Sequence, residues 1–197
     1  GSLQNLGAAR YGNYFTGTVQ HILGGKVRVG GSTDPVATLD VTGTAAFSGG
    51  ILGTITNDSA SAGYVGQLIT STVAVGDAVT LVNATGKTVT SISLTGDWDV
   101  SGQINFVLAG ATSTLHQAAL SLTTDTLSTQ PGGSGLGTDP LVNMPLPTTT
   151  LSGTLSLPIA PVRCSFASST PVYLVAQSAF AVGGETAYGT IRARRIR

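Results

Sequence analysis

Charge is what this chain has least of. Charged residues make up 9% of its 197 residues, against roughly a quarter in an ordinary soluble domain. There is a single glutamate, Glu185, and there are only two lysines, Lys26 and Lys87. Helix surfaces are built largely from Glu, Lys, Gln, Arg and Ala, so a mainly helical protein is excluded on composition. The formal net charge is +0, which provides no global field toward nucleic acid or an anionic membrane. One cysteine, Cys164, rules out a disulfide within the chain. No apolar run reaches the roughly 20 residues of a membrane-spanning helix, so membrane insertion is not expected. No signal peptide is visible, and Gly1-Ser2 reads as a cloning remnant.

What is present instead is Thr, Val and Ser in short alternating runs, with 27 glycines as punctuation. These residues suit pleated, half-buried surfaces, and the chain reads as all-β. The clearest strand is DWDVSGQINFVLAG. Trp98, Val100, Ile104, Phe106 and Leu108 share one face of it, and Asp97, Asp99, Ser101, Gln103 and Asn105 share the other. Before it, GYVGQLITSTV and DAVTLVN are split by a turn at Gly76-Asp77, and ATGK (84–87) leads into TVTSISL. After it, STLHQAALSLTT is a further strand. Later, Leu151, Leu155 and Leu157 alternate, as do Val162, Cys164 and Phe166. PVYLVAQSAFAV (171–182) is apolar on both faces, which predicts a strand covered on both sides, one of them by a neighbouring subunit. AYGTIRARR forms the last strand. Many short strands with frequent turns predict an antiparallel β-sandwich or jelly roll.

The first 60 residues differ. GKVRVGG gives one short strand, with Val27 and Val29 on one side. PVATLDVTGTAAFSGGI (35–51) is a hairpin-like unit in which Val36, Thr38 and Asp40 oppose Ala37, Leu39 and Val41. One copy buries too little apolar surface to offset its chain entropy, and other copies of the chain are the simplest partners. The flexible-looking joint at 57–63 sets the expected domains: 1–60 as a stalk of intertwined short strands, and 61–197 as a sandwich tip.

Few residues carry candidate chemistry. His21 and His116 lie in no metal-ligand spacing, so no metal is expected, and His116 reads as a surface or interface histidine. Asp97 and Asp99 flank Trp98 with Cα atoms roughly 6.5–7 Å apart, a spacing compatible with a two-carboxylate glycosidase. Every outward position of that strand is polar, however, so a solvated face paired with Arg192 or Arg194 is the simpler reading. Cys164 reads as a small buried hydrophobe and Trp98 as core. The glycine pairs of GGSG, LGGK and VGGE lack the strand-to-helix setting of a phosphate loop, and no cofactor is expected. IRARRIR is the only basic run, and its alternation fits a strand better than a nucleic-acid contact.

Two segments carry a family resemblance. DPVATLDVTGTAAFSGGI resembles the shaft units of tailed-bacteriophage fibres and related trimeric adhesins. GDWDVSGQINF, SLPIAPVRCSF, VYLVAQSAFAV and the ending AYGTIRARRIR together resemble the C-terminal tip of phage tail fibres and spikes. The resemblance implies a homotrimer with a short stalk and a β tip. It would be a virion component assembled in the host cytoplasm, joined to other tail proteins on its N-terminal side. Its tip would attach to a host surface polysaccharide or lipopolysaccharide without catalysis. A reduced Cys164 agrees with cytoplasmic assembly. The rival readings are a purely structural virion fibre or appendage, then a bacterial adhesin, then a depolymerase.

Within that picture the Pro/Gly-rich stretch from Ser128 to Pro147 reads as a long loop, and long loops are often functional. Gln130, Asp139 and Asn143 would hydrogen-bond sugar hydroxyls, with Leu141 and Met144 offering apolar surface. Equally, the loop would serve only to pack against a neighbouring subunit.

Overall fold

The computed structural model describes residues 27–29, 39–41, 44–45, 58–127 and 141–197. The chain divides into two compact units, Gly1–Ile55 and Thr56–Arg197.

In the first unit, strand β1 (Val27–Val29) pairs with β2 (Leu39–Val41). The pairing is parallel, with Val27 opposite Leu39 and Val29 opposite Val41. It therefore joins β2 to the GKVRVGG strand, a pairing the hairpin-like reading of 35–51 did not include. Most of that segment, and with it the stalk reading, lies outside the described residues.

The second unit is an antiparallel β-sandwich. Its strands are β3 (Leu68–Val73), β4 (Val79–Thr80), β5 (Lys87–Ser121), β6 (Leu141–Phe180) and β7 (Glu185–Arg195). They lie in the order β3-β7-β5-β6, with β4 also on β7. A single 3-10 turn, Val75–Asp77, separates β3 from β4 at the predicted Gly76-Asp77 turn.

β5 and β6 are too long to be straight. Thirty-five extended residues would span roughly 115 Å, several times the width of a domain this size. They bend where the register shifts, and β5 has positive φ at Gly96 (92°) and Gly110 (71°), close to two of those shifts. Its first arm, from Lys87 to Leu94, pairs with Thr170–Ala176. The middle, from Gly96 to Thr112, pairs with Thr150–Phe166 and on its other edge with β7. The last arm, Ser113–Ser121, runs between Leu141–Pro145 and Tyr173–Phe180.

One shift in β6 falls at Ala160-Pro161, where two steps along β5 (Val100 to Gly102) match three along β6 (Ile159 to Val162). Proline has no N–H for the ladder and is tolerated at such a bulge. Inward parity flips there: Leu157 and Ile159 are buried before it, Val162 and Cys164 after it. The two alternations read from the sequence are thus one strand with a phase shift.

The folded-over arms put apolar faces against each other. Trp98, Val100, Ile104, Phe106 and Leu108 are all buried, with Leu120, Leu174, Ile191 and Ala193 among their companions in the core cluster. Gly102 occupies the inward position between Val100 and Ile104. A Cβ there would lie 2.8 Å from Leu174 Cδ1, so the missing side chain is the space that Leu174 fills.

Two expectations are corrected. The 171–182 run was expected to be covered on both sides, but it is buried along one face, at Val172, Leu174, Ala176 and Ser178, whereas on the other face only Val175 is buried and Pro171 and Ala181 are exposed. The predicted loop of 128–147 also ends early, because Leu141 already begins β6 and pairs with Ala119.

Candidate binding groove

Of the five residues expected in a receptor loop, Gln130 and Asp139 lie outside the described residues. Leu141, Asn143 and Met144 belong to β6, where successive side chains point to opposite faces. Asn143 is exposed and its amide oxygen accepts from Gln117 Nε2, whereas Met144 packs against the core. Leu141 and Asn143 thus share one face of β6, and Met144 lies on the other.

A groove lies elsewhere, on the outward face of β3, β7 and β5. Arg192 and Arg194 occupy outward positions of β7, alternating with the buried Ile191 and Ala193. Register sets two cross-strand rows: Thr70, Arg192 and Ser101 in one, Leu68, Arg194 and Asp99 in the next. These six residues and Pro161 line an open hollow of about 580 Å³. A smaller one of about 280 Å³ shares Ser101, Pro161 and Arg192 with it and adds Gln103 and Thr190.

The neighbouring charges are already engaged. Asp97 was expected on the solvated face, paired with Arg192 or Arg194, but it is 3% exposed and sits under two other arginines. Arg163 donates to both of its oxygens, with Nε 3.1 Å from Oδ1, and Arg197 Nε reaches Oδ2. The side chains crossing over Asp97 shut out water, which alternation alone does not reveal. Hydrogen bonds from Arg163 hold this carboxyl below the usual carboxylate range, against the opposing effect of desolvation; the charges of Arg163 and Arg197 add to the lowering. Arg195 lies 4.3 Å over the Trp98 ring and donates to Gln67 Oε1 and to the Thr95 carbonyl. Among the described residues, Arg192 and Arg194 have no ion pair within the chain, even though Asp99 stands opposite Arg194.

A second polar grouping lies in the core. His116 is fully buried and not at the surface, with Nε2 2.9 Å from Glu185 Oε2. Ser113 Oγ donates to the other oxygen of the same carboxylate, and the Phe106 ring packs edge-on to the imidazole at 4.7 Å. His116 Nδ1 and the nearby Ser178 Oγ have no partner among the described residues. Serine and histidine both address the glutamate and not each other, and all three are closed to solvent. The arrangement crosslinks strands and presents no nucleophile to a substrate. Parity could have revealed it: Glu185 shares its phase with the inward Ala187 and Ile191, and His116 with Ala118 and Leu120. Among the described residues no group of three His, Cys, Asp or Glu side chains could hold a metal ion.

Fold and groove together define an antiparallel β-sandwich with an open, arginine-bearing face. No family model matches the sequence, and no curated protein does. Among solved structures, the chain is similar to one of the infectious bursal disease virus Gx strain, at 12% identity and a TM-score of 0.36 over 66% of this chain. It is also similar to the VP2 subviral particle of infectious bursal disease virus, at 13% identity and a TM-score of 0.34 over 66% of this chain. The chain spans about a third of those proteins, 32% and 30% of their lengths. A likeness at this level says nothing about what this chain does.

Proposed function

We propose that the protein is the distal part of a bacteriophage tail fibre, a homotrimeric virion component that attaches to host-cell polysaccharide or lipopolysaccharide and acts by binding, not catalysis. The supporting observation is the groove: an open hollow of about 580 Å³ on the outward face of adjacent strands, lined by hydroxyl, carboxylate, guanidinium and apolar groups. Such a mixture suits sugars, which present hydroxyls around an apolar ring face. Strands fix its geometry better than a loop would, so little ordering cost accompanies binding. Three weak sites on one tip would gain avidity without new contacts.

Light scattering behind a sizing column, followed by a glycan-binding screen, tests this reading. A mass near three times 19.7 kDa with reproducible glycan binding is the expected result. A trimer that binds no host polysaccharide would point to a purely structural virion fibre, and a monomer would remove the fibre reading.

A further inference from the structure

We propose that the groove takes an acidic sugar, with Arg192 and Arg194 gripping its carboxylate or phosphate group; this rests on the glycan-binding reading above and names its ligand class.

Arg192 and Arg194 alternate along β7 with Cα atoms about 6.6 Å apart at 3.3 Å rise per residue. Two long side chains at that spacing can converge on one anion. A guanidinium presents a planar fork of donors matched to carboxylate and phosphate oxygens. The second feature is electrostatic. Among the described arginines of the sandwich, Arg163 and Arg197 are bound to Asp97, and Arg195 is held by Trp98, Gln67 and Thr95. Only the two in the groove are left without an ion pair or a side-chain hydrogen bond. The third feature is the rest of the lining. Asp99 is the one carboxylate there, so the groove as a whole holds an excess of positive charge. Asp99 accepts from sugar hydroxyls beside the anion, Ser101 and Thr70 add hydroxyl partners, and Leu68 and Pro161 supply apolar surface for the ring. A bare anion would use only the two arginines. A neutral sugar would leave both guanidinium charges unused.

The test compares a hexuronic acid disaccharide, the same disaccharide with its carboxyls reduced to hydroxymethyl groups, a hexose 6-phosphate and inorganic phosphate. Binding is titrated by ligand-observed NMR against the unmodified protein and the Arg192→Gln, Arg194→Gln double variant. Both positions are exposed, so the variant is expected to fold, and unchanged Trp98 emission would verify it. The expected result is that the uronic acid or the hexose phosphate binds the unmodified protein at least tenfold tighter than the reduced disaccharide. That advantage should vanish in the variant and shrink severalfold between low and high salt in the unmodified protein. Which of the two acids wins identifies the source of the charge. Tighter binding of inorganic phosphate than of either acidic sugar would overturn the assignment to a sugar. Equal binding of the acidic and reduced disaccharides would overturn the inference and leave glycan recognition standing. Failure of every sugar to bind would remove both. A double variant that loses subunit association would assign the groove to a contact between copies of the chain and overturn the inference.

Discussion

His116 Nε2 lies 2.9 Å from Glu185 Oε2 with both side chains closed to solvent, and this pair ties the last arm of β5 to the first residue of β7. The only glutamate of the chain is thus spent inside the core. Desolvating such groups is costly, and the pair persists because Ser113 and His116 together satisfy both carboxylate oxygens. Glu185→Ala would leave the histidine and the serine without their partner. It should destabilise the protein by about 3–5 kcal/mol, read as a lowered urea midpoint. Replacing the whole set at once, Ser113→Ala, His116→Leu and Glu185→Leu, should recover much of that loss, because none of the three positions then carries a buried polar group left unpaired.

Asp97 predicts a pH dependence. Its folded pKa is depressed, mainly by hydrogen bonds from Arg163. A carboxyl of this kind contributes stability in full above its unfolded value of about 3.9, and loses it as pH falls through the lower folded value. Asp97→Asn should therefore lower the urea midpoint at pH 7. Its deficit relative to the unmodified protein should shrink as pH drops below about 3.9. A deficit that stays constant down to pH 2 would mean the ion pairs contribute nothing.

Gly189 tests how closely β7 and β5 approach. A Cβ at this position would run into the Gln103 carbonyl oxygen, and main chain cannot move aside as a side-chain tip can. Gly189→Ala should cost about 3 kcal/mol or more, at the upper end of overpacking effects. Gly184→Ala, where a Cβ meets nothing within 4 Å, is the control and should be close to neutral.

Cys164 should be inert in the folded protein. It is fully buried, and desolvation, together with the nearby Asp99 and Asp97 charges, pushes its thiol up to about 11. A thiol reagent at pH 8 should react only at the rate of global unfolding, and rapidly once urea is added.

Much of the sandwich was legible because alternation is a local property. The inward set Trp98, Val100, Ile104, Phe106 and Leu108 could be read directly, since a strand buried on one face must place apolar groups at every second residue. Even the phase shift between Leu157 and Val162 was visible as two alternations, although that they form one bent strand was not. The C-terminal end of the expected loop was misread. Its prolines and glycines resembled those of an irregular segment, yet Leu141–Pro145 pairs along β5. His116 was misplaced because its polarity was weighed above its phase, which it shares with the inward Ala118 and Leu120.

Composition and periodicity by themselves determined that this chain is all-β, which residues of the central strand turn inward, and that Cys164 and Trp98 belong to the core. Only the tertiary structure decided which polar groups meet. Asp97 takes Arg163 and Arg197, Glu185 takes His116, and Arg192 and Arg194 have no ion-pair partner among the described residues. Alternation depends on neighbours along the chain, whereas ion pairing depends on register between strands that lie far apart in sequence, and register is set by bends and bulges that no single stretch encodes.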